Sequence, residues 1–218
     1  SGQQLENAGV KDMIHLGRLV SGFTANSNYY GTYTYTIRGV GFQDTALASN
    51  GAVSINIDEM PIPFSALTTG VVLDIERVEV LKGPQGTLFG QNTTGGAINY
   101  IANKPTDEFE AGIRLQYGSF NEIDITGFIS GPISENLSYR LAAKSWTSDG
   151  DQKMYSGEEA NGPDPIWVAN GRSYTYDKEA GEKDFQNMRL SFAYEPADNF
   201  SALLTLSAWR DQSDSRRP

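Results

Sequence analysis

The chain has 218 residues with 17 basic and 27 acidic side chains, a formal net charge of −10 and no cysteine. The acidic balance argues against a nucleic-acid partner, because neutralising phosphates requires clusters of Lys and Arg. Without cysteine the chain has no disulfide, no thiolate zinc site and no cysteine nucleophile. Its single histidine, His15, does not suffice for a histidine-based metal site or a catalytic triad. We therefore predict no enzymatic centre, no metal site and no cofactor.

The first part of the chain predicts a mixed helix and strand domain over residues 1–104. Residues 2–8 and 11–20 predict two short helices. Residues 21–31 are polar and contain glycine, which predicts a loop. Runs rich in β-branched and aromatic residues predict strands at 32–37, 52–57, 75–81 and 97–102.

Glycines interrupt the stretch from Ile75 to Pro105. Gly83, Pro84 and Gly86 predict a reversal of the chain after the strand that begins at Ile75. This segment superficially resembles a phosphate-binding loop, but it lacks the lysine and the spacing which that motif requires. We interpret it as a structural turn.

The second part of the chain, residues 105–218, alternates apolar and polar side chains, as Phe109, Ala111 and Ile113 do in its first segment. Alternation of this kind is typical of a membrane-spanning β-barrel, with apolar residues towards lipid, and also of a soluble sandwich. The pattern predicts five antiparallel strands at about 108–117, 122–131, 137–147, 184–195 and 199–210.

The connections between these strands favour the membrane barrel. Residues 118–121, 131–136 and 195–199 are short connections, whereas 149–183 is long and polar. If the first strand runs outward, the turns 131–136 and 195–199 lie on one side, and 149–183 becomes an extracellular loop on the other. Short periplasmic turns and longer external loops are the arrangement of outer-membrane barrels. Trp146 and Trp209 would lie near the outer strand ends, although both fall in the polar register.

Several motifs resemble those of TonB-dependent outer-membrane receptors. They occur in the order expected for that family: Ile37-Arg38-Gly39, VSINIDEMP at 53–61, IERVEVLKGPQGTLFG at 75–90, GGAINYIANKP at 95–105, and Gly131-Pro132-Ile133. The resemblance implies a plug domain at 1–104 and the first strands of a 22-stranded membrane β-barrel, so that the chain is expected to be part of a longer one. Glu59-Met60 stands where the family usually has Gly-Val.

The resemblance also implies a function. A receptor of this family in the outer membrane of a Gram-negative bacterium binds a scarce solute, such as a ferric siderophore, haem, cobalamin or an oligosaccharide. It imports the solute by energy-coupled rearrangement of the plug. The implied partners are the ligand, outer-membrane lipid and the TonB complex, which would bind a segment preceding Ser1. The alternatives are a surface binding or assembly component with a protein partner, and a signal-transducing receptor.

Two groups of site residues follow from the resemblance. The outward-facing plug loops would contact the ligand, because aromatic and amide side chains suit a shaped polar molecule. These residues are Asn28, Tyr29, Tyr30, Gln43, Asp44, Thr45, Phe64 and Ser65. Arg38, Arg77 and Glu79 are charged residues within apolar strands and would contact the barrel wall, since buried charges require partners. The alternative for both groups is simple exposure to solvent.

Overall fold

The structure, a computed structural model, contains an N-terminal domain and a sheet of long strands. It describes residues 2–10, 13–27, 33–41, 51–62, 68, 72–150, 152–156, 175–197 and 199–213. The helices are α1 (Gly2–Asn7), α2 (Met13–Leu16) and α3 (Gly86–Phe89). The strands of the N-terminal domain are β1 (Phe23–Ser27), β2 (Tyr33–Ile37), β3 (Val40–Gly41), β4 (Val53–Ile57), β5 (Met60–Pro61), β6 (Ile75–Lys82) and β7 (Gly96–Ala102). No helix among these residues is long and apolar enough to cross a membrane.

Two small sheets make up the N-terminal domain. One has the order β1-β2-β3, and the other has the order β5-β4-β7-β6, with β4 and β7 parallel. Ile37, Ile98 and Tyr100 are at most 1% exposed and lie at the centre of the core. The Tyr100 hydroxyl donates a hydrogen bond to the sulfur of Met13, which joins α2 to β7. The core therefore combines both sheets and the second helix.

The prediction of a loop over residues 21–31 is wrong at Phe23–Ser27, which forms β1. This strand pairs antiparallel with β2, with Phe23 opposite Ile37. Phe23 and Ala25 are buried, whereas Thr24 and Asn26 are exposed. The segment thus has the period-2 pattern of a strand, but it is short and polar, and its stability comes from pairing with β2.

Gly96 is required where β7 passes β6. Its φ is +142°, a value that side-chain-bearing residues rarely adopt, and a Cβ atom there would overlap the carbonyl oxygen of Leu81. The second glycine of the Gly95-Gly96 pair therefore permits a close approach of two backbones.

Five strands form a second sheet, which we call the wall sheet. They are β8 (Glu110–Tyr117), β9 (Ile123–Ser134), β10 (Leu137–Ser148), β13 (Lys183–Ala197) and β14 (Phe200–Asp211). The spatial order is β14-β13-β10-β9-β8, and all neighbours are antiparallel. Five antiparallel strands after an α+β domain confirm the predicted fold class. Between β10 and β13, β11 (Gln152–Ser156) and β12 (Thr175–Ala180) form a separate hairpin.

The wall sheet is polar on its buried face and apolar on its exposed face. Arg140 and Arg189 face the N-terminal domain and are 5% and 4% exposed, respectively. On the opposite face Ile113 and Leu115 are 75% and 68% exposed. A soluble domain buries its apolar side chains, so this arrangement is inverted, as expected for strands that face lipid.

Trp146 and Trp209 both lie on the polar face. Trp146 is the register partner of Asp124 and Phe185, and its indole N–H donates to Glu122 at 3.1 Å. Trp209 is paired with Asn187. Neither side chain therefore belongs to the apolar outer face.

Candidate functional site

Two arginines of the wall sheet hold one segment of the N-terminal domain. The guanidinium of Arg140 donates to both carboxylate oxygens of Asp74, from Nε at 2.6 Å and from Nη2 at 2.7 Å. Arg189 donates from Nη1 to the carbonyl oxygen of Leu73 at 2.7 Å. The Arg140 and Asp74 side chains are 6% and 8% exposed. We call these contacts the arginine clamp; the Arg140–Asp74 part is a buried bidentate ion pair, the strong form of this interaction.

The wall sheet itself orients Arg140. The guanidinium carbon lies 4.2 Å from the centre of the Phe128 ring, within the range of a cation–π contact. Nη1 of Arg140 lies 3.8 Å from a carboxylate oxygen of Glu110, which is 53% exposed. Glu110 and Arg140 flank Ser130 in one row across β8, β9 and β10. Arg140 is therefore positioned by neighbours that do not belong to the N-terminal domain.

Gly112 provides the space for the Phe128 ring. The two residues are register partners on β8 and β9, and a Cβ atom on Gly112 would lie 2.6 Å from Cε1 of Phe128. Real Cβ contacts are not this short, so Phe128 must move when residue 112 has a side chain. Because the Phe128 ring contacts Arg140, the position of Arg140 on β10 depends indirectly on Gly112 on β8.

Gly112→Ala is expected to destabilise the protein by about 1–3 kcal/mol, because overpacking forces the ring out of its position. Thermal unfolding of the full receptor would measure the effect. The compensating double variant with Phe128→Leu is expected to recover most of the loss, since the smaller side chain leaves room for the new methyl group. An equal loss with and without Phe128→Leu would contradict this explanation.

Asp74 also ties the clamp to the point where the chain enters the wall sheet. Its Oδ1 accepts a hydrogen bond from Nδ2 of Asn103 at 2.8 Å, and its carbonyl oxygen accepts one from the Asn103 N–H at 3.0 Å. Three residues later, Thr106 donates from its backbone N–H to Oγ of Ser130 at 3.0 Å. The start of β6, the end of β7 and the first wall strands are therefore held as one unit.

Arg189 carries a charge that the clamp only partly satisfies. Its Nε is buried and has no hydrogen-bond partner among the described residues. Burying a guanidinium is costly, and electrostatic attraction to the carboxylates of Asp58 and Asp74 offsets part of that cost.

A cavity of about 470 Å³ lies beside the clamp, between the N-terminal domain and the wall sheet. Leu5 and Val72 line it on one side, and Arg114, Thr126 and Lys144 line it on the other. Lys144 is paired with Asp124, Nζ to Oδ2, at 3.6 Å. The interface between domain and wall is thus charged and incompletely filled, in contrast to the tightly packed core.

Eight predicted ligand-contacting residues lie outside the described residues. They are Asn28, Tyr29, Tyr30, Gln43, Asp44, Thr45, Phe64 and Ser65. Their role in ligand contact stays a prediction. Within the described part of the chain, no group of three or more His, Asp or Glu residues is placed to hold a metal ion.

The three predicted charge contacts lie apart from the clamp. Arg77 pairs within its own strand with Glu76 at 2.7 Å and with Glu79 at 2.8 Å. These hydrogen bonds, first that to Glu79, raise the pKa of the Arg77 guanidinium above its ordinary value. Arg38 is exposed after β2, and its backbone N–H donates to the Gly22 carbonyl at 2.6 Å. Contact of Arg38, Arg77 and Glu79 with the barrel wall stays a prediction.

Sequence reasoning missed the clamp residues. The alternation in 137–147 places Arg140 on the polar face, so the pattern signals an inward-facing cation. Asp74 carries no such signal, because it precedes β6 and lies outside the alternating pattern. The two residues are 66 positions apart, and only the tertiary structure brings them together.

Comparison with known proteins agrees with this architecture. Residues 1–97 match the family model described as the TonB-dependent Receptor Plug Domain. The pesticin receptor of Yersinia pestis is 32% identical over 140 residues, which are 64% of this chain and 20% of the relative. The chain thus spans about a fifth of the length of this relative.

Two solved structures share the fold. The ferric yersiniabactin uptake receptor FyuA from Yersinia pestis superposes with a TM-score of 0.79 at 24% identity, covering 96% of this chain and 30% of that one. The pyoverdine outer membrane receptor FpvA from Pseudomonas aeruginosa PAO1, bound to pyoverdine, has a TM-score of 0.65 at 21% identity, covering 96% and 26%. Residues 1–97 thus form a plug domain of the TonB-dependent receptor kind, and the five antiparallel strands that follow share the fold of these receptors' barrel wall.

Proposed function

We propose that this chain is the plug and the first wall strands of an outer-membrane receptor that imports a ferric siderophore in a Gram-negative bacterium. The observation that carries the proposal is the inverted wall sheet with a plug bound to its polar face. An apolar outer face suits lipid, and a charged, incompletely filled interface suits a plug that moves relative to the wall. Neither feature would serve a soluble enzyme or a rigid structural domain.

The class of ligand is proposed from the relatives. One of the two similar structures is a ferric yersiniabactin uptake receptor, and the other is a receptor bound to pyoverdine. These two proteins favour a ferric siderophore over haem, cobalamin or an oligosaccharide. We propose that the plug loops around Tyr29, Asp44 and Phe64 contact this ligand, because aromatic and amide groups give shaped polar recognition.

The proposed orientation follows from the parity of the connections. The tight turns at 135–136 and near 199 would face the periplasm. The reversal at 118–122 and the hairpin β11–β12 would then face outward, as short inner turns and longer outer loops require. In this orientation the plug is accessible from the periplasm. The TonB complex would supply the energy for plug rearrangement.

Uptake of iron-loaded siderophores tests the proposal. The full receptor gene would be expressed in a Gram-negative host that lacks its own siderophore receptors, with and without TonB. We expect radiolabelled iron to accumulate only when the receptor and TonB are both present. Equal uptake without TonB would refute energy-coupled import. Ligand binding with no uptake in either strain would instead favour a surface binding component or a signal-transducing receptor.

A further inference from the structure

The arginine clamp raises a question about any movement of the plug. Arg140 is only 6% exposed while the plug lies against the wall. As Asp74 begins to leave, the guanidinium loses its bidentate partner before water can replace it, and an uncompensated charge in a buried site is strongly unfavourable. A plug that is displaced and returns would meet this barrier in every cycle.

Glu110 is placed to compensate this charge. It belongs to the wall sheet, so it stays with Arg140 when the plug moves. Its carboxylate is already 3.8 Å from Nη1 of Arg140, and its side chain is 53% exposed and therefore free to rotate. Phe128, at 4.2 Å, supports the guanidinium from the wall as well. Closing the remaining gap of less than 1 Å to hydrogen-bond distance requires only a change of side-chain rotamer.

We propose that Glu110 and Asp74 exchange as partners of Arg140, and that this exchange allows the plug to separate from the wall and return. Asp74 binds Arg140 in the docked state, and Glu110 binds it when the plug is displaced. Arg140 and Glu110 are thus positioning residues for plug movement. The inference rests on the proposed plug rearrangement but concerns a step that needs neither ligand nor TonB.

The exchange predicts effects of opposite sign for the two carboxylates. Asp74→Asn removes the partner of the docked state and should make the plug easier to displace. Glu110→Gln removes the partner of the displaced state and should make the plug harder to displace. If Glu110 only supported the docked geometry of Arg140, both substitutions would loosen the plug. The sign of the Glu110 effect therefore separates the two roles.

Single-molecule pulling on the full receptor in lipid measures this directly. A handle at the N-terminus applies a constant force, and the lifetime of the docked plug is recorded. Relative to wild type, we expect roughly tenfold shorter lifetimes for Asp74→Asn and roughly tenfold longer ones for Glu110→Gln. The matched control is Glu108→Gln, an exposed glutamate on the same approach to β8 with the same change of charge. Its lifetime should equal that of wild type.

The double variant provides a second measurement. When Asp74→Asn is present, Glu110 already pairs with Arg140 in the docked state, so adding Glu110→Gln should no longer lengthen the lifetime. A Glu110→Gln lifetime equal to or shorter than that of the Glu108→Gln control would overturn the proposal. A lengthening that persists unchanged in the double variant would also overturn it. Because the experiment contains no ligand and no TonB, failure of siderophore uptake would leave its outcome unaffected.

Discussion

Arg140→Met is expected to weaken docking of the plug by about 3–5 kcal/mol, the usual cost of removing one partner of a buried ion pair. The Asp74 side chain is 8% exposed, and without Arg140 its carboxylate keeps only the hydrogen bond from Asn103. Arg189 donates its hydrogen bond to the Leu73 carbonyl and interacts with Asp74 only at longer range, so it compensates the loss only in part. Limited proteolysis of the plug in the full receptor, as a function of urea, would measure the change.

The control for this prediction is Arg18→Met, which removes the same charge from an exposed position on the plug. Exposed charges contribute little to stability, so this variant should behave as wild type. Asp74→Asn should cost less than Arg140→Met, because Glu110 remains beside Arg140. Equal protease resistance of Arg140→Met and Arg18→Met would contradict a stabilising clamp.

Ile113→Lys is expected to destabilise the folded receptor in lipid by about 2–4 kcal/mol, the cost of a lysine near the middle of the bilayer. Ile113 is 75% exposed on the apolar face of β8 and lies in the row of Gly127, Ala143, Met188 and Ala208. Reversible unfolding in lipid vesicles would measure the loss.

Gln116→Lys is the matched control, because residue 116 lies on the same strand but on the polar face. That face borders the charged interface with the plug, so an added lysine there should change stability by less than about 1 kcal/mol. If the two lysines cost the same, the outer face of β8 does not contact lipid.

The two faces of the wall sheet could be predicted from sequence because successive side chains of a strand point to opposite sides. Ile113 and Arg114 therefore lie on opposite faces wherever the strand is placed. The same rule put Trp146 and Trp209 on the polar face, and both lie there in the structure. Length and parity of the connections then predicted which strand ends share a side.

The alternation of side chains predicted the strands of the plug less well, because these strands are short. Phe23–Ser27 alternates as a strand should, but its five residues are too few to distinguish from a loop without knowledge of β2. The family motifs nevertheless identified the domain, because their order along the chain indicates a family even where a single short strand is not recognisable. They did not reveal which plug residue contacts the wall.

Local pattern thus determined the alternation of the wall strands, the inward position of Arg140 and the family of the chain, since each depends on residues close in sequence. Tertiary structure alone decided that Asp74 and Leu73 meet Arg140 and Arg189, and that Gly112 makes room for Phe128. The physical reason is that an ion pair or a packing contact depends on distance in space. Residues 66 and 116 positions apart become neighbours only when the plug lies against the wall.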